Sequence, residues 1–148
     1  MPKFLKAYTT LEVLVVIGLI VLITGMVIPI SLRQTKFNEL SVAGKDLHSA
    51  IFTQQQKAFA GKNDSKQGVY IESEGYWLFE GEDFTNATAK DYFPFSKGII
   101  ATPEYTEIIF EESSQKLNEE KNMFLIYDGY NYVIQINKEG VINSYVQT

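Results

Sequence analysis

The sequence predicts an α+β fold in which a long N-terminal helix packs on an antiparallel β-sheet. Three observations carry this prediction: an uncharged apolar run from Val13 to Ile30, an amphipathic stretch after it, and a C-terminal half built from short runs rich in β-branched and aromatic residues. Helical and strand-like patterns that occupy separate parts of a chain favour an α+β arrangement over alternating α/β units.

The apolar run is the first element. No charged residue lies between Val13 and Ile30, and a helix that rises about 1.5 Å per residue over this length approaches the roughly 30 Å of a bilayer core. We therefore expect residues 8–31 to form a transmembrane half of the helix. The run exceeds the apolar region of about 7–15 residues in an ordinary secretory signal, which is the competing interpretation. Lys3 and Lys6 favour a cytoplasmic N-terminus.

Glu12 stands at the head of this run, where an unpaired carboxylate is costly in an apolar environment. Its position in the first turn provides partial compensation from the helix dipole, which favours an anion by roughly 0.3–1 kcal/mol. Cleavage after the small residue Ala7 would create a second source of positive charge, the free amine of Tyr8. This amine would meet Glu12 of the same chain or of a neighbouring copy.

The sequence Lys6-Ala7-Tyr8-Thr9-Thr10-Leu11-Glu12, followed by an apolar helix, resembles the processing signal of type IV pilins and type II secretion pseudopilins. The resemblance implies a pilin-like fold and a cytoplasmic leader at residues 1–7. It also implies cleavage after Ala7, where most members carry glycine, and N-methylation of Tyr8. Glu12 would guide subunit docking, and Pro29 matches a proline where the helix of the family loosens locally in filaments.

A weaker resemblance concerns the order of three later segments. The helix end Gln54-Gln-Gln-Lys-Ala58, a Gly-Val-Tyr strand and Tyr76-Trp77-Leu78 look like the H-type minor pseudopilins and related minor pilins. Together the resemblances imply a structural subunit in the inner membrane, single-pass, with its C-terminal domain outside the cytoplasm. The implied partners are a prepilin peptidase and methyltransferase, other pilin or pseudopilin subunits, an inner-membrane assembly platform and membrane lipid. No cofactor is implied.

An amphipathic half of the helix is expected at residues 32–61. Apolar or small residues recur there at steps of three and four, and Gly61 supplies a stop signal. Pro29 lacks an N–H and predicts a kink in the helix. Gly18 and Gly25 in the apolar half permit close contacts between helices.

Strands are predicted in an extracytoplasmic β-sheet domain at residues 62–148. Val69–Ile71 and Tyr76–Phe79 form one candidate hairpin, and Tyr132–Ile136 and Val141–Val146 form another around Gly140. Single strands are expected at Glu107–Phe110 and Met123–Tyr127. The mixed segments from Gly81 to Thr106 and from Glu111 to Asn122 are predicted to be loops.

The composition argues against several function classes. The chain has no cysteine and one histidine, His48, so neither a cysteine nucleophile nor a zinc–thiolate site is possible, and an enzyme is not expected. The formal net charge of −5 opposes binding to a phosphate backbone. Acids near Gly81 and at Asp128 lack the spacing of a defined cation site. Two alternatives stay open: a membrane-anchored binding or adhesin domain that does not polymerise, and a DNA-uptake minor pilin.

Overall fold

The computed structural model describes residues 9–61, 65–103 and 105–147, and for residues 26–32 it describes the backbone alone. The described chain contains one helix and eight strands. The helix, α1, runs from Thr10 to Phe59. The strands are β1 (Gln67–Glu72), β2 (Gly75–Glu80), β3 (Ala89–Pro94), β4 (Ile100–Thr102), β5 (Thr106–Phe110), β6 (Lys121–Tyr127), β7 (Tyr130–Ile136) and β8 (Ile142–Gln147).

The chain divides into two compact units, residues 1–35 and residues 36–148, so that α1 contributes to both. In the second unit the strands form two four-stranded sheets, with the orders β3-β2-β1-β5 and β4-β6-β7-β8. All strand pairs are antiparallel. Short hairpins join β1 to β2, β6 to β7 and β7 to β8.

One hydrophobic core serves both sheets. The helix contributes Leu40, Leu47, Ile51 and Ala58, which are fully buried. The first sheet contributes side chains such as Ile71 and Phe110, and the second contributes side chains such as Leu125 and Ile134. The three- and four-residue spacing on α1 thus places one apolar face against both sheets.

The chain itself covers the outer face of the first sheet over β1 and β2, whereas Tyr92 on the edge strand β3 is 41% exposed. Tyr92, Trp77, Tyr70 and Glu107 are cross-strand neighbours and form one row across the sheet. Phe84, from the connection between β2 and β3, stacks on Tyr70 with ring centroids 4.1 Å apart. The Phe84 backbone N–H donates to Glu107 Oε1 at 2.6 Å, which holds this connection over the row.

The outer face of the second sheet is different because it carries exposed apolar side chains. The strand registers place its side chains in three rows. These rows are Ile100, Ile126, Asn131 and Gln147; Thr102, Phe124, Val133 and Tyr145; and Asn122, Gln135 and Asn143. No member of the three rows is charged. Ile100, Ile126 and Tyr145 are exposed to 49%, 38% and 49%, respectively.

The predicted fold, a helix with a membrane-spanning half packed on one antiparallel sheet, is wrong. The chain is α+β, but the strands form two sheets instead of one, and α1 is divided between two compact units. Among the residues described in full, no helix is long and apolar enough to cross a membrane. Alternation of side chains predicts strands but does not say which strands share a sheet.

The predictions for individual strands and hairpins agree with the structure better than the predicted fold does. Both candidate hairpins are present, as β1–β2 and β7–β8, and strands occupy the positions expected for β5 and β6. The segment from Gly81 to Thr106 is not a simple loop, since it contains β3 and β4. Every residue of β3 is exposed, so this edge strand lacks the apolar alternation that reveals a half-buried strand.

Candidate assembly surface

The N-terminal end of α1 is capped by a side chain. The backbone N–H of Glu12 donates to Thr9 Oγ1 at 3.2 Å, and Thr9-Thr-Leu-Glu12 has the spacing of a capping box. Glu12 therefore lies in the first helical turn, where a carboxylate is stabilised by the helix dipole. The capping role of Thr9 was missed by sequence reasoning, although the T-x-x-E pattern signals it.

A continuous apolar surface follows the cap, and we call residues 11–23 the apolar segment. Its large apolar side chains are exposed to between 47% and 73%. Because they are consecutive apart from Glu12 and Gly18, they cover every side of the helix and not one stripe. Contiguous apolar surface of this extent marks an interaction site.

Polar groups within the apolar part of α1 are few and satisfied. Between Val13 and Gly25 the one polar side chain is that of Thr24, and its hydroxyl donates to the carbonyl oxygen of Ile20 at 2.6 Å. Apart from its chain neighbours and the nearby backbone of α1, a Cβ atom placed on Gly18 or Gly25 would have no atom of the described residues within 4 Å. These two glycines leave open space against which another helix can pack.

The predicted site residues fall into three groups. Glu12 and Val13 are exposed on α1, and the space beside Gly18 and Gly25 is unoccupied by described residues. Pro29 and Ile30 lie within α1, but their side chains are outside the described residues, as is any kink that depends on the Pro29 ring. Ala7 and Tyr8, the predicted cleavage and methylation positions, also lie outside the described residues.

Two buried glutamines near the end of α1 were not anticipated as functional residues. Gln54 Nε2 donates to the carbonyl oxygens of Gly68 and Phe79, both at 3.1 Å. The adjacent Gln55 Nε2 donates to the carbonyl oxygens of Gln115 at 3.0 Å and Gly140 at 2.6 Å. Gln55 is only 4% exposed although its side chain is polar. These bonds attach the helix to both sheets.

Acidic side chains in the second unit form ion pairs and turns. Asp128 Oδ2 pairs with Lys36 Nζ at 2.7 Å, and Glu82 pairs with Lys66 at 2.8 Å. Asp83 accepts hydrogen bonds from the backbone and side-chain nitrogens of Asn86, which lower the pKa of the Asp83 carboxyl. Among the described residues no group of three or more histidine or acidic side chains is placed to hold a metal ion.

His48 lies at the interface between α1 and the second sheet. Its Nδ1 lies within hydrogen-bond distance of Ser144 Oγ, at 2.9 Å, and Ser144 Oγ accepts a hydrogen bond from the Tyr132 hydroxyl. Each of these groups is half-buried or buried, and together they tie the helix to β7 and β8. The three side chains therefore have a structural explanation.

Comparison with known proteins adds no constraint, because no family model, no curated protein and no solved structure matches this chain.

Proposed function

We propose that the chain is a structural subunit of a pilin-type or pseudopilin-type filament and that it assembles through the apolar segment. The observation that carries the proposal is the exposure of consecutive large apolar side chains on every side of α1. One neighbour covers one side of a helix, so full burial requires several helices around each copy. A bundle of identical helices meets that requirement.

The energetics favour such a bundle. Burying a large apolar side chain gains roughly 1.5–3 kcal/mol, and the apolar segment presents about ten of them. Association costs an estimated 4–15 kcal/mol in lost freedom of motion. Relative to water, burial of the whole segment is therefore of the same order as this cost or larger, whereas in lipid the attraction comes from close helix packing, for which Gly18 and Gly25 leave room. The hydroxyl of Thr24 is already satisfied and adds no penalty for a buried polar group.

Glu12 is the one charge in the segment and needs a positive partner inside a bundle. Under the proposal, a prepilin peptidase cleaves after Ala7, a methyltransferase modifies Tyr8, and the Tyr8 amine of another copy neutralises Glu12. An assembly platform at the membrane supplies the subunits. This role uses no cofactor and no catalytic residue.

Mass spectrometry of assembled material from the native host tests the processing step. The expected result is a mature chain that begins with methylated Tyr8. An intact Met1 terminus in assembled material would overturn this step.

The docking role is tested by Glu12→Gln, which keeps the capping-box spacing and removes the charge. We expect normal accumulation of the subunit with failed assembly, measured by recovery of sheared filaments. Glu39→Gln makes the same change on α1 outside the apolar segment; it is the matched control and should assemble normally. Wild-type assembly by Glu12→Gln would overturn the docking role of Glu12.

A further inference from the structure

A groove with a volume of about 560 Å³ lies beside β5, within the second compact unit. This volume is within the roughly 300–1,000 Å³ of sites that bind ligands. The lining comes from two parts of the chain. Glu107 and Ile109 belong to β5, whereas Leu117, Glu120 and Asn122 belong to the segment that leads into β6 and to the start of that strand.

The strand β5 is an open edge of the first sheet in the part of the chain that the structure describes. The N–H of Gly81 donates to the carbonyl oxygen of Lys66, and this pair continues the register of β1 and β2. Because hydrogen-bonded pairs alternate along antiparallel strands, the residues of β1 bond in turn to β2 and to β5. The residues of β5 that bond to β1 are Thr106, Ile108 and Phe110. Glu107 and Ile109 therefore direct their backbone N–H and C=O groups outward, where no described residue pairs with them.

The strand β6 also extends past its neighbour at this groove. β4 pairs with β6 only at residues 124–126, so residues 121–123 have β7 on one side and no partner in β4 on the other. Asn122, in the middle of this extension, lines the groove. Both sheets thus present strand positions without a neighbour to one groove, and open strand edges are templates for pairing with another chain.

The charges that line the groove are mainly negative. Three glutamates and one lysine contribute: Glu107, Glu119, Glu120 and Lys121. Lys121 pairs with Glu119, whereas Glu120 is exposed and forms no ion pair with another described residue. Because complementary charge selects and orients partners, the groove favours an occupant with positive side chains.

We infer that the groove binds an extended segment of another protein, which joins the first sheet as a strand beside β5 and carries a lysine or arginine. Strand addition of this kind obtains affinity from backbone hydrogen bonds and specificity from alternate side chains. Glu107 and Ile109 point to the same face because they are two residues apart. The pattern that fits is therefore a basic residue opposite Glu107 and an apolar residue two positions away, opposite Ile109. This inference goes beyond the proposed function and does not depend on filament assembly.

A blocked peptide Thr-Lys-Thr-Val-Thr has the required spacing and serves as the probe. Its binding to the full chain in mild detergent is measured by fluorescence anisotropy of a dye on the peptide, and we expect saturation with a Kd below about 1 mM. Replacing the lysine of the peptide by glutamate tests the charge, and N-methylation of its three central residues removes the backbone donors. Each change should weaken binding about tenfold. Equal binding of the three peptides, or no binding of the first, would overturn the inference.

Ile109→Pro tests the edge within the chain. Proline removes the Ile109 N–H, which faces away from β1, so the pairing of β5 with β1 keeps its hydrogen bonds. The peptide should bind this variant about tenfold more weakly, while the circular dichroism of the chain stays that of the wild type. Ile109→Val keeps the N–H and should bind as the wild type does. Equal binding by Ile109→Pro and Ile109→Val would contradict strand addition at β5.

Glu120→Lys tests the charge of the groove and does not alter the backbone of β5. It should weaken peptide binding about threefold, as expected for an exposed ion pair. Glu74→Lys makes the same change in the exposed turn between β1 and β2 and should have no effect. Equal binding by these two variants would refute the charge complementarity.

A second copy is the alternative occupant, because Lys90 and Tyr92 on the edge strand β3 also have the required spacing. Lys90 Nζ, however, already lies 4.4 Å from the centroid of the Phe84 ring. Analytical ultracentrifugation of the full chain in the same detergent distinguishes the two occupants. Dimers that form in the wild type and are lost in both Ile109→Pro and Lys90→Met would overturn the assignment of the groove to another protein.

Discussion

Gln55 on α1 donates a hydrogen bond of 2.6 Å from its Nε2 to the carbonyl oxygen of Gly140, which lies 85 residues further along the chain. Gly140 has a φ of +83° and ends the turn between β7 and β8. The helix thereby fixes the hairpin at a point where the backbone offers a carbonyl with no strand partner.

Replacement of Gln55 by leucine should destabilise the second unit by about 1–3 kcal/mol, because the carbonyl groups of Gln115 and Gly140 lose their donor. Urea unfolding of the full chain in mild detergent, followed by circular dichroism, measures the loss. Gln56→Leu on the same helix is the control and should change stability by no more than about 0.5 kcal/mol. Similar losses in the two variants would contradict the role of Gln55.

A Cβ atom on Gly44 would lie 2.4 Å from ring atoms of Tyr132, so α1 and β7 approach closely at this point. Gly44→Ala should cost about 1–3 kcal/mol through overpacking, despite a gain in helix propensity of about 1 kcal/mol. Thermal unfolding by calorimetry measures the difference. Gly25→Ala, at an open position of the same helix, keeps the propensity gain alone and should not destabilise the chain. Gly44→Ala with unchanged stability would show that Tyr132 moves aside freely.

Thr9→Ala removes the acceptor for the Glu12 amide and should cost about 1 kcal/mol of helix stability. Hydrogen exchange read by mass spectrometry should then show faster exchange in the first turn of α1. Thr9→Ser keeps a hydroxyl acceptor and should exchange like the wild type. Unchanged exchange in Thr9→Ala would mean that other contacts hold this turn.

Lys66 joins two acids, since its Nζ lies 2.8 Å from Glu82 Oε2 and 3.0 Å from Glu111 Oε2. Hydrogen bonds to Glu82 and then Glu111 raise the pKa of Lys66 above its ordinary value of 10.5. A raised pKa in the folded state means that the stabilising contribution is complete below pH 10.5 and is lost as pH rises through the folded value.

The test compares urea unfolding at pH 8 and above pH 10.5 for the wild type and for Lys66→Met, with Lys97→Met as control. The stability of the wild type should fall more steeply with alkaline pH than that of Lys66→Met. Parallel pH dependence in these two proteins would show that the ion pairs do not persist in solution.

The sequence predicts local structure in this protein better than it predicts assembly of the elements. Period-two patterns located the hairpins β1–β2 and β7–β8, because each has one face in the core. The same patterns could not assign the strands to two sheets. A strand with one face in the core has the same alternating sequence pattern whichever sheet it belongs to. The exposed edge strand β3 left no pattern at all.

The hydrogen-bond partners of buried polar residues are the second feature that could not be predicted from the sequence. The sequence does not indicate that the amides of Gln54 and Gln55 donate to backbone carbonyls of strands and turns. Such partners become visible only when the chain has folded. Thr9 and Glu12 differ in this respect, because their three-residue spacing already indicates a capping box.

The adjacent side chains of Gln54 and Gln55 have a consequence for cooperativity. One reaches β1 and β2 of the first sheet, and the other reaches the β7–β8 turn of the second. In the part of the chain that the structure describes, no strand pairing connects the two sheets. Fraying of the last turns of α1 would release both sheets at once. We therefore expect residues 36–147 to unfold in a single transition instead of sheet by sheet, because both sheets depend on contacts with the end of α1.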